Sequence, residues 1–187
     1  MKTILFAVVL FNAITAYAKS PGMPEPTAAI ASPQVRLIEN AFSPEAGAEQ
    51  LILKVINSAQ QELRLAAYSF TSSTITKALI AARQRGVDVR VIVDEKRNLE
   101  PPSISALNKL VSAGIPVRTI AVYALHHDKY LVVDGRHLQT GSFNYTSGAA
   151  KANSENVLVV WNDATLAASY LQHWQSRWEQ GVVFGGR

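Results

Sequence analysis

From position 35 onward the apolar residues change their period along the chain, and each change marks an element. Val35 to Phe42 reads as a strand. Ser43-Pro44-Glu45 predicts a helix start, with Ser43 as N-cap and Pro44 at the first helical position. Leu51, Ile52, Val55 and Ile56 then recur at helical spacing. Glu62 to Phe70 reads as a second strand, after which Thr71 or Ser72 caps a helix ending at Arg85-Gly86. Val87 to Val93 predicts a buried strand. Ser103 opens a helix that ends at Ala113-Gly114, and Pro116 to Val122 is the next strand. A hairpin comes after it. Asn156 to Trp161 is a late strand, and Asp163 caps a last helix reaching about Gln180. This alternation predicts an α/β fold in one domain, with a mixed, largely parallel β-sheet sandwiched between α-helices. No segment repeats another.

The first residues have a different pattern. Lys2 precedes a short apolar run, Ile4 to Ile14, and Ala16-Tyr17-Ala18 has the small-x-small form of a cleavage site. Residues 1–18 therefore read as a secretory signal peptide. The run is shorter than the roughly 20 residues a membrane span needs, so no stable membrane insertion is expected after cleavage. Pro21, Gly22, Pro24, Pro26 and Pro33 make residues 19–34 an extended linker. The domain is expected to occupy 35–187, in an exported protein that is periplasmic or secreted. The chain has no cysteine, which excludes disulfides and a lipoprotein anchor.

Composition adds two limits. With 48% apolar and 17% charged residues, the chain can bury a core and is not disordered. The formal charge of +4, one unit of it from Lys2, permits an anionic polymer as partner and equally describes a solvated basic surface.

The chemistry concentrates between His127 and Tyr145, which reads H-x-K-x4-D-x6-G-S-x-N. At ordinary residue usage such a pattern arises by chance on the order of once in 10^5 to 10^6 sequences. Asp134-Gly135 is a two-residue hairpin signal. If those residues form the loop, Val133 pairs with Arg136, Lys129 faces Thr140 and His127 faces Ser142. His127, Lys129, Ser142 and Asn144 then project from one face, unless a bulge shifts the register. The same parity sends His126 and His137 to the other face and makes a joint metal site of His126, His127 and Asp128 improbable on geometry. His173 falls on the last helix. No metal or other cofactor is expected.

This run resembles the signature of the phospholipase D superfamily, the HKD motif with its trailing Gly-Ser-x-Asn. A chain of this size with one copy is most similar to the single-motif bacterial endonucleases of that superfamily, the Nuc type. Tyr68-Ser69-Phe70-Thr71-Ser72 and Val93-Asp94-Glu95-Lys96 look like the family's strand ends, and Glu155 matches its acidic partner of the histidine. The resemblance covers residues 35 to about 180.

The resemblance implies a metal-independent phosphodiesterase. A neutral His127 imidazole can attack phosphorus and form a phosphohistidine. Lys129 and Asn144 can hold the non-bridging oxygens, Ser142 can donate a further hydrogen bond, and Glu155 can accept from the other imidazole nitrogen. Asp134 sits in the turn and is read as structural, and Gly141 as a backbone requirement. One histidine cannot be nucleophile and acid in the same step. With one motif per chain, the family implies a homodimer that supplies a second His127.

Nucleic acid is the expected substrate, DNA or RNA, bound mainly through phosphates with little sequence preference. Lys96 and Arg97 are the chosen substrate contacts, with Arg83, Arg85, Lys109 and Arg118 as further basic candidates. Tyr68 and Phe70 either stack on bases or pack in the core or cleft wall. A phospholipase D-type lipid phosphodiesterase is the first alternative. A non-catalytic nucleic-acid-binding protein is the second.

Overall fold

The computed structural model describes residues 35–185. Along them run β1 (Leu37–Ser43), α1 (Ala48–Ser58), β2 (Glu62–Ala67), α2 (Ser73–Gln84), β3 (Asp88–Asp94), a 3-10 turn (Lys96–Asn98) and α3 (Pro101–Ser112). They continue with β4 (Val117–Ile120), β5 (Lys129–Val133), β6 (His137–Gly141), α4 (Ser147–Lys151), β7 (Glu155–Trp161), α5 (Ala164–Gln180) and β8 (Val182–Val183). The expected signal peptide and linker lie outside the described residues.

The strands form one mixed sheet in the order β1-β7-β6-β5-β2-β3-β4-β8. Parallel pairing is confined to β2-β3-β4, where α2 and α3 are the crossovers. Every other neighbouring pair is antiparallel. The parallel part is thus smaller than strand–helix alternation implies. The reason is that β5, β6 and β7 succeed one another as antiparallel neighbours, with a tight turn after β5 and a loop carrying α4 after β6.

Successive side chains on a strand point to opposite faces, and the core divides accordingly. Leu63, Leu65, Val89, Val91, Leu131 and Val133 pack beneath α1, α2 and α3. Ala66, Ile92, Tyr130, Val132 and Leu138 meet α5 through Trp174 and Trp178. That second face is only partly covered. Over β1 and β7 it leaves Ile38, Phe42 and Leu158 exposed, at 58%, 52% and 38%.

Helix starts obey local chemistry. The Ser72 hydroxyl accepts the Ile75 N–H and the Asp163 carboxylate accepts the Leu166 N–H, as expected of N-caps. Two starts differ from the expectation. Ser43 ends β1 opposite Glu155 instead of capping α1, and the chain turns through Gly47, at φ +80, before the helix begins at Ala48. A left-handed φ costs glycine nothing, so that turn displaces the Ser-Pro start. The third helix opens at Pro101, with Glu100 as N-cap, because proline's fixed φ suits the first turn. Ser103 is buried inside it.

One end of the sheet collects all the chemistry. β2, β3 and β6 finish there, while β5 and β7 begin there. Lys129 pairs with Ala67, Gly141 with Val157, and Ser43 with Glu155.

Candidate active site

The hairpin that carries the motif is one residue out of the expected register. Asp134 and Gly135 form the turn at φ 51 and 61, and the Arg136 N–H donates to the Val133 carbonyl at 3.1 Å. Yet Val133 pairs with His137, so Arg136 is an extra residue of the bulge kind. Thr140 therefore faces Tyr130, not Lys129. A shared strand face does not bring the motif residues together. The loop after β6, residues 142–146, does.

Gly141 makes that possible. At φ +149 it lies against β7 so closely that a Cβ would stand 2.3 Å from the Asn156 carbonyl oxygen. No side chain fits there, which gives the expected backbone requirement a physical cause.

The loop that presents His127 is tied from below by residues to which the sequence assigned no role at the site. Asp94, at the end of β3, is buried. Its Oδ2 accepts the His126 N–H at 2.8 Å and its Oδ1 accepts the Arg97 N–H at 2.7 Å. Asn98 accepts the Phe70 N–H and donates to the Tyr68 and Asp94 carbonyls. Thr71 and Ser72 donate backbone N–H groups to the Tyr145 carbonyl, at 2.9 Å each. The ends of β2 and β3, the histidine loop and the Gly-Ser-x-Asn loop are thereby one hydrogen-bonded unit. An Asp just after an apolar strand was the available signal.

On this unit His127 is exposed and Lys129 is buried, at 8% exposure. The Lys129 ammonium donates to the His127 carbonyl at 2.9 Å. Burial pushes its pKa down, opposed by the charges of Asp128 and Glu155. Tyr68 forms the wall between them. Its ring meets the His127 ring edge-on at 4.5 Å between centroids and lies 5.3 Å from the Lys129 ammonium. This is the cleft-wall placement.

Ser142 and Glu155 are joined by a 2.5 Å hydrogen bond, the hydroxyl donating to Oε2. The same hydroxyl oxygen accepts the Asn156 backbone N–H at 3.0 Å and its side-chain amide at 3.2 Å. A serine has one proton and two lone pairs, and all three are used. Ser142 thus has no donor left for a substrate, contrary to expectation. It latches the loop onto β7. Asn153 donates to the other Glu155 oxygen at 3.0 Å. Among the described residues the partners of Glu155 are therefore Ser142 and Asn153, not the His127 ring. Asn144 is half-buried, and its Oδ1 is buried without a hydrogen-bond partner among the described residues.

Behind His127 the Asp128 carboxylate accepts from the His173 ring at 2.9 Å and lies 3.5 Å from Nδ1 of the buried His126. Burial lowers the pKa of His126, opposed by Asp128 and Asp94. His173, read from sequence only as a helix residue, is thus drawn to the motif. Among the described residues no group of three His, Cys, Asp or Glu could hold a metal ion. His127 also opens onto a cavity of ≈ 420 Å³.

Other expected site residues lie elsewhere. Phe70 is wholly buried, packed on Tyr145, and belongs to the core. Asp134 accepts the backbone N–H groups of Gln60, Gln61 and Glu62. The length of β5, roughly 17 Å, separates it from Lys129. Lys96 and Arg97 are exposed on the turn held by Asp94. Arg85 instead binds carbonyls at the end of α1, and Arg118 lies against Trp178. Neither reaches the site.

His127, Lys129 and the loop that carries Asn144 thus stand at one end of a mixed α/β sheet. The family described as cardiolipin synthase, PLD-like domain, matches residues 52–178. A phospholipase D of Rickettsia bellii (strain RML369-C) is 40% identical over 140 residues, covering 75% of this chain and 68% of that one. A mitochondrial cardiolipin hydrolase of Xenopus laevis is 33% identical over 142 residues, covering 76% and 63%. The crystal structure of the phospholipase D family member Nuc from Salmonella typhimurium superposes with a TM-score of 0.80 at 45% identity, over 80% of this chain and 99% of that one. The chain belongs to the phospholipase D-like family and is a phosphodiesterase of that superfamily.

Proposed function

We propose that the protein is a metal-independent endonuclease that cleaves DNA or RNA through a phosphohistidine on His127, in a homodimer. One observation carries this reading. An exposed imidazole stands beside a buried, backbone-pinned lysine in a chain 45% identical over nearly all of Nuc.

The neutral imidazole attacks phosphorus, and the P–O bond to the leaving group breaks. The leaving oxygen takes a proton from the imidazolium of His127 of the partner subunit. Water then attacks phosphorus, the P–N bond breaks to free His127, and the partner's His127, now neutral, accepts the proton from the water. Lys129 and Asn144 hold the non-bridging oxygens as charge develops. Glu155 acts through Ser142 and Asn153 on the loop, and adds to the negative field around Lys129.

The uncovered strip of Ile38, Phe42 and Leu158 supports the dimer. It adjoins the site, since Phe42 pairs with Asn156 and Leu158 with Thr140. Exposed apolar strips of this sort mark protein contacts. Lys96 and Arg97 flank the entrance as phosphate contacts. Export to the periplasm or medium completes the reading.

The test is incubation with plasmid DNA, RNA and phosphatidylcholine vesicles in excess EDTA. Nucleic-acid cleavage is expected. Hydrolysis of the vesicles alone would establish the lipid alternative.

A further inference from the structure

The cavity beside His127 has a wall that the chemistry of the motif does not use. His127 and Lys129 stand at one side, and Thr140 and Gly141 of β6 form another. The opposite wall comes from α5, which contributes Ser169, Tyr170 and His173. Residues 169 and 173 are one turn apart, so they share a face of the helix.

This wall is fixed. Asp128, next in sequence to His127, holds His173 at 2.9 Å. The Tyr130 ring meets Tyr170 edge-on at 5.0 Å between centroids, which leaves the half-buried Tyr170 fixed in orientation at the cavity. The Tyr130 hydroxyl is buried and has no hydrogen-bond partner among the described residues.

The volume of ≈ 420 Å³ lies in the range of ligand pockets, about 300–1,000 Å³. Among the described residues no aliphatic side chain lines it. The walls offer the rings of Tyr130 and Tyr170, the hydroxyls of Ser169 and Thr140, the imidazoles of His127 and His173, the Lys129 ammonium and the Asp128 carboxylate. An acyl chain finds nothing to match there. A sugar and base find both stacking and hydrogen bonds.

In an in-line displacement the leaving group departs away from the attacking nitrogen. The remaining substituent lies to the side of that axis, beside the nucleophile. We propose that this cavity is a nucleoside subsite, which takes the sugar and base that stay attached to the phosphorus on His127, with the base stacked on Tyr170. The proposal rests on the nucleic-acid reading above.

The test compares two diesters with the same leaving group, a thymidine 4-nitrophenyl phosphate (the better of its 3′ and 5′ isomers) and methyl 4-nitrophenyl phosphate. The quantity read is the ratio of their kcat/KM values. Tyr170→Leu keeps an apolar contact with Tyr130 and removes the ring face. It is expected to lower the ratio by about 5- to 150-fold, the range for loss of one base–aromatic stack. Tyr170→Phe is expected to restore it. Ser169→Trp, at an exposed helix position, fills the cavity and is expected to lower the same ratio, which keeps the test available if Tyr170→Leu does not fold.

An unchanged ratio, or an equal fall on both substrates, overturns the subsite while cleavage of DNA or RNA by the wild type keeps the endonuclease reading. A wild type that cleaves no nucleic acid overturns both. Vesicle phosphatidylcholine hydrolysis that Ser169→Trp suppresses would assign the cavity to a lipid headgroup and also overturns the proposal.

Discussion

The Asp94 carboxylate accepts the backbone N–H of His126 at 2.8 Å, and so sets the position of the next residue, His127. Its other oxygen accepts the Arg97 N–H, on the turn that carries the exposed Lys96 and Arg97. One buried side chain thereby positions both the His127 loop and the basic turn.

Removing it is expected to damage stability and catalysis together. Asp94→Ala leaves two N–H groups without acceptors, at about 1–3 kcal/mol each when buried. A displacement near 1 Å at a reacting group costs about 10²-fold in rate. Urea unfolding and kcat measured on the same preparation check this. Wild-type stability in Asp94→Ala would remove Asp94 from the account.

Ser142→Ala separates a latch from a substrate contact. A latch predicts loss of about 1 kcal/mol of stability, because the hydroxyl's three hydrogen bonds are internal. A substrate donor predicts wild-type stability and a lower kcat. Thermal unfolding alongside kinetics decides between them.

The motif aspartate is expected to be structural as well. Asp134→Ala removes acceptors from three N–H groups at the start of β2 and is expected to cost about 1–3 kcal/mol. The kcat/KM of the folded variant is expected to stay within about twofold of wild type. A rate loss of a hundredfold with an intact fold would place Asp134 in the chemistry.

Acid sensitivity comes from two histidines. Burial lowers the pKa of both His126 and His137, and His137 Nδ1 accepts the Asn162 N–H, which a protonated Nδ1 cannot do. Well above the ordinary value of 6.5, folded and unfolded chains hold these rings neutral alike, and stability does not vary with pH on their account. As pH falls below that value, the unfolded chain takes up protons that the folded chain refuses. Stability is then lost by up to about 1.4 kcal/mol per pH unit for each ring, until pH passes the lowered folded values. Denaturant unfolding from pH 7.5 to 5 is expected to show this decline, with a shallower slope in His137→Gln.

The dimer reading places a consequence on Phe42, half exposed beside the site. Phe42→Arg puts a charge in the apolar strip and is expected to yield a folded monomer with greatly reduced activity. Light scattering coupled to gel filtration measures it. A fully active monomer, wild type or variant, contradicts the shared site.

Most of the element order was legible because period and caps agree, as at Ser72 and Asp163. What failed were features that depend on backbone geometry between elements. Asp134-Gly135 marks a turn, but nothing local announces that Arg136 adds a residue and shifts the register. Gly47 and the β1–β7 pairing, a long-range contact, override the Ser43-Pro44 start. The motif's chemical groups were legible by residue type and spacing. Their partners were not, since Asp94, Asn98 and His173 reach the site only through tertiary packing.

Everything proposed for the site turns on a metal-free covalent intermediate on His127. The direct measurement is a rapid reaction with a phosphorus-labelled oligonucleotide in excess EDTA, quenched in alkaline detergent, with label then counted on the denatured protein. Label on the wild type that hydroxylamine and acid remove, none on His127→Ala, and loss of turnover by about 10³-fold or more in that variant are the expected result. Turnover that EDTA abolishes and magnesium restores, or full activity in His127→Ala, would contradict it.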